Sequence, residues 1–428
     1  MNVPAPVSTA LSTFIVLALG FGIVPTAVAD DTSDTWAMAP IEFEPTTPPA
    51  DPGHFVVAER PRAPVYTSTS GRYGRGSIHV GQVLPATRVG RTGGCSGTWY
   101  RIGAGGFICS ANGFDVVVRE PEGSPSLAPR VDLPLPFHYA LVTDRSTFRW
   151  DRLPNQRQLD RVGRGRRVGA AEKLDGDYFV ALPVRDDAHE TFDAPGGPYY
   201  RSVAGRYVPV EAVEFLPPSA LRGSYDAGGL TLPMAFVIEE LRAGARVLQR
   251  YERFPVQEVN EDSVETRHGR LDRSALRIVK LTAPPSEIEE GEKWIHVDLD
   301  EQVLVAYEGE RPVFATLIAS GKEGYDTPTG TFQIRHKYIT TTMRGDDPND
   351  GVYDVAEVPW TMYYDGSYAL HGAYWHDTFG NVRSHGCTNI APADARWLFG
   401  WTAPVIPEGW HGVRDEGTYV VLTRAEDE

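Results

Sequence analysis

Residues 371–389 read HGAYWHDTFGNVRSHGCTN. Two histidines, His371 and His385, bracket a stretch that closes on Cys387, with Gly386 directly before the cysteine and Asn389 two places after it. A thiol near imidazoles and beside a conformationally free backbone is the minimum equipment for nucleophilic acyl transfer. An ordinary cysteine, with a pKa of about 8.5, is only a few per cent thiolate at neutral pH, so a base must serve it. His385 is too near in sequence: side chains so close together in a tight turn rarely aim at one another, and it is assigned to orientation or substrate contact. His371 lies well upstream, at the end of a predicted strand, and the loop between is long enough to fold its imidazole back onto the sulfur. It is assigned as general base, and later as acid for the leaving group. Gly386 lets the backbone approach closely with unusual dihedrals. The amides around Gly386 and Cys387 are the expected donors to the oxyanion that an acyl-transfer intermediate develops.

Outward from this stretch, the last domain is placed at 293–425. IHVDLDEQVLVAYEGERPVFATLIASG alternates polar and apolar residues over two strands, with Glu308-Gly309 as the turn. TGTFQIRHKYITT continues the strand pattern, and 341–359 is polar and reads as a loop. WTMYYDGSYALHG is a strand pair ending on His371, and GTYVVLTR is a terminal strand. APADARWLFGW is a short helix, with Pro392 suited to its first turn.

LHGAYWHDTFGNVRSHGCTN resembles the signature of the L,D-transpeptidase (YkuD-type) catalytic domain, in which an upstream His precedes Ser/Thr-His-Gly-Cys, any residue, then Asn or Arg. Ser384, His385, Gly386, Cys387 and Asn389 match it. IHVDLDEQVLVAYEGERPVF and SGKEGYDTPTGTFQI also look like that family's first strands and its Pro-Thr-Gly turn. The resemblance covers residues 294–424. The interval from His371 to Ser384 is slightly shorter than in many members, which bears on the substrate-side loop. The resemblance implies that Cys387 attacks the carbonyl of an L-centre in a peptidoglycan stem peptide. The terminal D-residue leaves, and an amine of a second stem resolves the thioester to give a cross-link. It also implies that Tyr364 and Trp375 line the substrate groove. The mechanism needs no cofactor. Three alternatives stand beside it. Water or a protein amine resolves the thioester, giving an L,D-carboxypeptidase or a protein-to-wall linkage. The chain is a non-catalytic wall-binding protein. Or His371, His376, His385 and Cys387 form a tetrahedral zinc set, although their spacing lacks a ligand rhythm, and no metal is expected.

Upstream, residues 1–29 carry the apolar core LSTFIVLALGFGIV and a small-residue cleavage site at Ala27-Val28-Ala29, and read as an export signal. The expected location is therefore the periplasm or cell envelope, with membrane attachment only through this segment if it is uncleaved. Residues 30–53 are Pro-rich and polar, and read as an extended linker without a core. Three stretches, 54–119, 137–216 and 234–282, each open on an apolar strand, close on a Val- or Ile-rich run and are separated by Pro-rich connections. They read as small β modules. The first, with PVYTSTSG and WYRIGAGGFICS, resembles bacterial Src-homology-3-like domains, and the other two do so through length and closing strand only. The basic run RVGRGRR at 161–167 reads as a solvated loop. Of the three cysteines, Cys95 and Cys109 flank a Gly-rich turn between two strands and are expected to pair, leaving Cys387 as the free thiol. The formal charge of −16 argues against a nucleic-acid partner. The expected fold class is mostly β and multi-domain: small barrels, then a β-rich catalytic domain with a short helix after the cysteine.

Overall fold

The computed structural model describes residues 40–49, 52–121, 127–174, 177–184, 189–347 and 351–425. The expected export segment lies outside the described residues. The chain is mostly β.

The C-terminal segment begins with an antiparallel meander of Lys293–Asp298, Val303–Glu308 and Arg311–Ala319. Tyr419–Thr423 runs parallel beside its first strand. Glu308 pairs with Arg311, so the turn is Gly309 and Glu310, one residue later than expected. Arg311–Ala319 leaves this sheet at its far end, where Ile318 and Ala319 pair with Thr388–Ile390. A second sheet continues from there. Thr388–Ile390 runs parallel to Tyr368–Gly372, followed antiparallel by Gly351–Asp365, His336–Asp347 and Gly412–Arg414. The two sheets share one core, in which Ile295, Val297 and Leu304 join Met362, Leu370 and Ile390. Helix Pro392–Trp401 adds Leu398 and Phe399 to that core. Pro392 opens the helix, where a missing N–H costs nothing.

Two expectations for this segment change. Val303, Leu304, Val305, Ala306 and Tyr307 are all buried, so the strand does not alternate between core and solvent. Its second face is covered: Val303, Val305, Tyr307 and Leu317 pack with Met234, Phe236, Ile238 and Val279 from upstream. A sheet buried on both faces gives continuous apolar runs. The polar stretch at 341–359 is not a loop but the outer half of a hairpin, in which Thr341 pairs with Val358 and Met343 with Val355. Val355 and Val358 find their burial partners in Phe137, Tyr139, Ala181 and Val203, far away in sequence.

Apart from Ser224–Tyr225, which pairs with Arg311–Ala319, the upstream strands among the described residues fall in three stretches. From His54–Ala58 to Phe114–Val117, residues such as Val56, Val65 and Ile108 belong to the C-terminal core itself. Gly74–Ile78 pairs directly with Gly412–Arg414. From His138–Val142 to Val213–Phe215, a cluster forms around Ala140, Val180 and Val208. Asp177–Leu182 from this stretch runs parallel to the long hairpin, with Asp177 beside Tyr353. Helix Gln156–Gly163, absent from the sequence reading, opens on a reciprocal Asn155–Gln158 capping box and takes up the first part of the basic run. From Met234–Val237 to Leu276–Val279, alternation divides the side chains between two cores. Ala235 and Val237 face the stretch's own cluster with Phe254 and Ile278, and Met234 and Phe236 face the C-terminal sheet.

Residues 40–49 depart from the extended, coreless linker. Ile41 and Phe43 pack against the C-terminal core, and Glu44 bridges to Pro407. The alternation Ile41-Glu42-Phe43-Glu44 is the period-two pattern of a strand with one buried face. Cys95 and Cys109 form a disulfide, and Cys387 is free. No helix among the described residues is long and apolar enough to cross a membrane.

Candidate active site

The site is built outward from the end of Arg311–Ala319. The Ser320 carbonyl accepts the N–H groups of Arg383 and Ser384 at 2.8 and 2.9 Å. Ser320 is itself held by Gln302, whose side-chain amide donates to its hydroxyl at 2.6 Å and accepts its N–H at 2.8 Å. The Ser384 hydroxyl accepts the Gly386 N–H at 3.0 Å and donates to the Cys387 carbonyl. Thr327, from the turn before Gly330–Gln333, donates its hydroxyl to the Gly386 carbonyl at 2.9 Å and accepts the Gly321 N–H at 2.9 Å. Both peptide groups of Gly386 are thereby fixed. Gly386 takes φ +110, and a Cβ there would stand 2.6 Å from Cε1 of Tyr368. Only glycine fits this turn.

Cys387 leaves the turn and enters Thr388–Ile390. In the parallel ladder Leu370 stands beside Thr388 and His371 beside Asn389. Carried back one residue, that register sets Cys387 level with Ala369. Period-two alternation then sends it to the face shared by Asn389 and His371. The sulfur is 3.5 Å from the Ser367 carbonyl. His371 is buried, and its Nδ1 lies 3.3 Å from the Gly372 carbonyl. A carbonyl only accepts, so Nδ1 carries the ring proton and Nε2 keeps the lone pair a base needs.

Burial governs both pKa values. It pushes the Cys387 thiol up to about 11, opposed by a hydrogen bond from the Ala369 backbone. It pulls His371 down to about 4, opposed by the Gly372 carbonyl. At neutral pH the resting pair is therefore a neutral thiol and a neutral imidazole.

The other expected residues are distributed around this pair. His385 is exposed, edge-on to Tyr325 at 4.6 Å between ring centroids and stacked with Tyr353 at 5.6 Å. Trp375 packs on His371 at 5.6 Å, against the imidazole itself. Tyr364 is buried, and burial together with the neighbouring Cys387 raises its phenol above the ordinary value. Asn389 points its side-chain amide at Nε2 of His376, 2.9 Å away. Of the two amides expected to face an oxyanion, that of Gly386 is occupied by Ser384.

The sequence reading names His376 only as a member of the possible zinc set. The structure joins it to Asn389, and burial pulls it down to about 3. It also gave no role to Gln302 or Thr327. Both are polar side chains in turns, and only their burial marks them out. Among the described residues, no three His, Cys, Asp or Glu side chains gather as a metal-binding group.

Residues 292–421 match the YkuD family, described as the L,D-transpeptidase catalytic domain. The C-terminal segment is a YkuD domain. No curated protein matches the chain. Among solved structures, it is similar to the L,D-transpeptidase of Enterococcus faecium, with 27% identity and a TM-score of 0.26, covering 34% of this chain and 55% of that one. The isolated catalytic domain from E. faecium is also 27% identical, with a TM-score of 0.26, covering 31% of this chain and 98% of that one. L,D-transpeptidase 3 from Mycobacterium tuberculosis is 15% identical, with a TM-score of 0.26, covering 31% of this chain and 60% of that one. The chain thus spans little more than half of the longer E. faecium protein. The turn holding Cys387, the strand holding His371 and the helix Pro392–Trp401 all lie inside the YkuD domain.

Proposed function

We propose that the protein is an exported peptidoglycan L,D-transpeptidase with Cys387 as nucleophile and His371 as base. The observation that carries this reading is the β ladder that sets a free cysteine two residues before the partner of a buried, Nδ1-protonated histidine, on the same face, inside the YkuD domain. The thiol proton passes to Nε2 of His371 as sulfur bonds to the carbonyl carbon of a stem peptide's L-centre. The Cys387 amide faces the oxyanion. As the tetrahedral intermediate collapses, the bond to the terminal D-residue breaks, and His371 returns the proton to the leaving amine. An amine of a second stem then attacks the thioester. It gives up its proton through His371 and restores the thiol. Ser384, Gly386 and Asn389 hold the geometry, while exposed His385 and its tyrosine neighbours face the incoming stem. Tyr364 and Trp375 bound the reacting pair from the protein side. The catalytic domain of the E. faecium relative has been solved acylated by ertapenem, and the same acylation is expected of Cys387. The stretch at 54–119 is read as a Src-homology-3-like module, and the cell envelope as the location.

The test is product analysis with a tetrapeptide stem and an amine acceptor. The reading expects release of the terminal D-residue and a cross-linked product, both lost in Cys387→Ala. Release without cross-link marks an L,D-carboxypeptidase. Equal turnover by Cys387→Ala removes the cysteine mechanism.

A further inference from the structure

The loop between His371 and Ser384 carries Trp375 and His376, and part of its support comes from outside the YkuD domain. The Asp377 carboxylate accepts hydrogen bonds from the Ser219 hydroxyl at 2.5 Å and the Tyr251 hydroxyl at 3.0 Å. The Asp377 carbonyl accepts from the Arg250 guanidinium, which also stands 3.6 Å from the carboxylate. Three residues on, the Gly380 carbonyl accepts from Nε of Arg277 at 2.8 Å. Gly380 lies so close to Ile238 that a Cβ on it would fall 2.4 Å from that side chain.

Tyr251 is held for this contact. It takes φ +70, a conformation costly for a bulky residue and kept only where the surroundings impose it. Arg250 lies over its ring at 4.3 Å from the centroid. Burial and the adjacent Asp377 raise the phenol above its ordinary value, so it remains a donor at working pH.

We propose that Asp377 is a positioning residue of the active site, clamped by Ser219, Arg250 and Tyr251, and that the stretch at 234–279 is thereby a working part of the catalytic groove. Asp377 directly follows His376, whose ring meets Asn389, and stands two places after Trp375, whose ring packs on His371. Fixing Asp377 fixes both rings, and through them the face on which the base approaches the sulfur. Partly exposed ion pairs add little to stability, roughly 0–1 kcal/mol. A misplacement of about 1 Å at a reacting group, by contrast, can slow a reaction about a hundredfold. The clamp therefore acts on rate far more than on stability.

This inference rests on the acyl-transfer reading above, and the test separates the two. The full chain is acylated with ertapenem and followed by mass. Asp377→Ala is expected to lose about 10- to 100-fold in the limiting acylation rate, with the half-saturating ertapenem concentration unchanged and little change in Tm. Asp377→Asn, which keeps an acceptor for Ser219 and Tyr251, recovers most of the rate. Arg270→Ala, which breaks an exposed pair with Glu265 in the same stretch, acylates like the parent. A parent-like rate in Asp377→Ala overturns the clamp, as does an equal loss in Arg270→Ala. A second readout needs no chemistry: the Trp375 indole N–H resonance should shift or broaden in Asp377→Ala while that of Trp360 does not. An unmoved Trp375 signal overturns the clamp even if the parent is never acylated. Absence of acylation in the parent counts against the acyl-transfer reading alone.

Discussion

Replacing His371 with glutamine is expected to slow acylation of Cys387 by about ten-thousand-fold at pH 7, the upper end of the usual worth of a positioned base. The reason lies in the two displaced pKa values. With the thiol near 11 and the imidazole near 4, no stored thiolate is available at neutral pH. The rate depends on Nε2 taking the proton as sulfur attacks. The parent enzyme should therefore keep its rate down to about pH 4, below which His371 is charged and cannot accept. The glutamine variant depends on thiol ionisation alone, so its rate should climb about tenfold per pH unit toward 11 and approach the parent's there. A pH series of acylation rates on both proteins checks this. Equal rates at pH 7 would remove His371 from the base role. A parent rate that falls away already near pH 6–7 would point to an imidazole of ordinary basicity.

Gly386→Ala should be nearly as damaging, by a different route. At φ +110 a side chain strains the backbone, at a cost of roughly 1–3 kcal/mol. The new methyl would also meet the Tyr368 ring at 2.6 Å. Relief requires the turn to move. The turn is tied by Ser384 at the Gly386 amide and by Thr327 at its carbonyl, so Cys387 and its own amide move with it. Displacing an oxyanion donor typically costs about a hundredfold or more in rate. The control is Gly244→Ala, also at positive φ but with open space around its Cβ. It should lose about 1 kcal/mol of stability and no acylation rate. Acylation of Gly386→Ala at the parent rate would show that the turn tolerates a side chain and does not set the sulfur.

The groups of the proposed site could be named from residues 371–389 because a nucleophilic thiol needs a small set of groups, and those groups are close in sequence. Its supports could not. Gln302 and Thr327 reach the site through folding, and nothing in their local pattern, or in that of His376 within the stretch, distinguishes a buried polar tie from a solvated turn. The outer half of the hairpin from His336 to Asp365, at 341–359, was missed for a related reason. Its Thr-rich and acidic outer half looks soluble until Phe137, Tyr139 and Val203 cover Val355 and Val358. The strands at 293–319 were read as half-exposed, although Leu304, Val305 and Ala306 follow one another without a polar break. That run was the available sign that a second layer covers the sheet. Ile41 and Phe43 show the converse, a strand-like alternation hidden among prolines.

The most direct measurement is the intact mass of the full chain, with its disulfide unreduced, after incubation with a tetrapeptide stem or ertapenem, followed by peptide mapping. A single covalent adduct on Cys387, absent from Cys387→Ala, is the predicted result. Lack of any adduct on the parent, or an adduct on another residue, would contradict the assignment of Cys387 as the nucleophile.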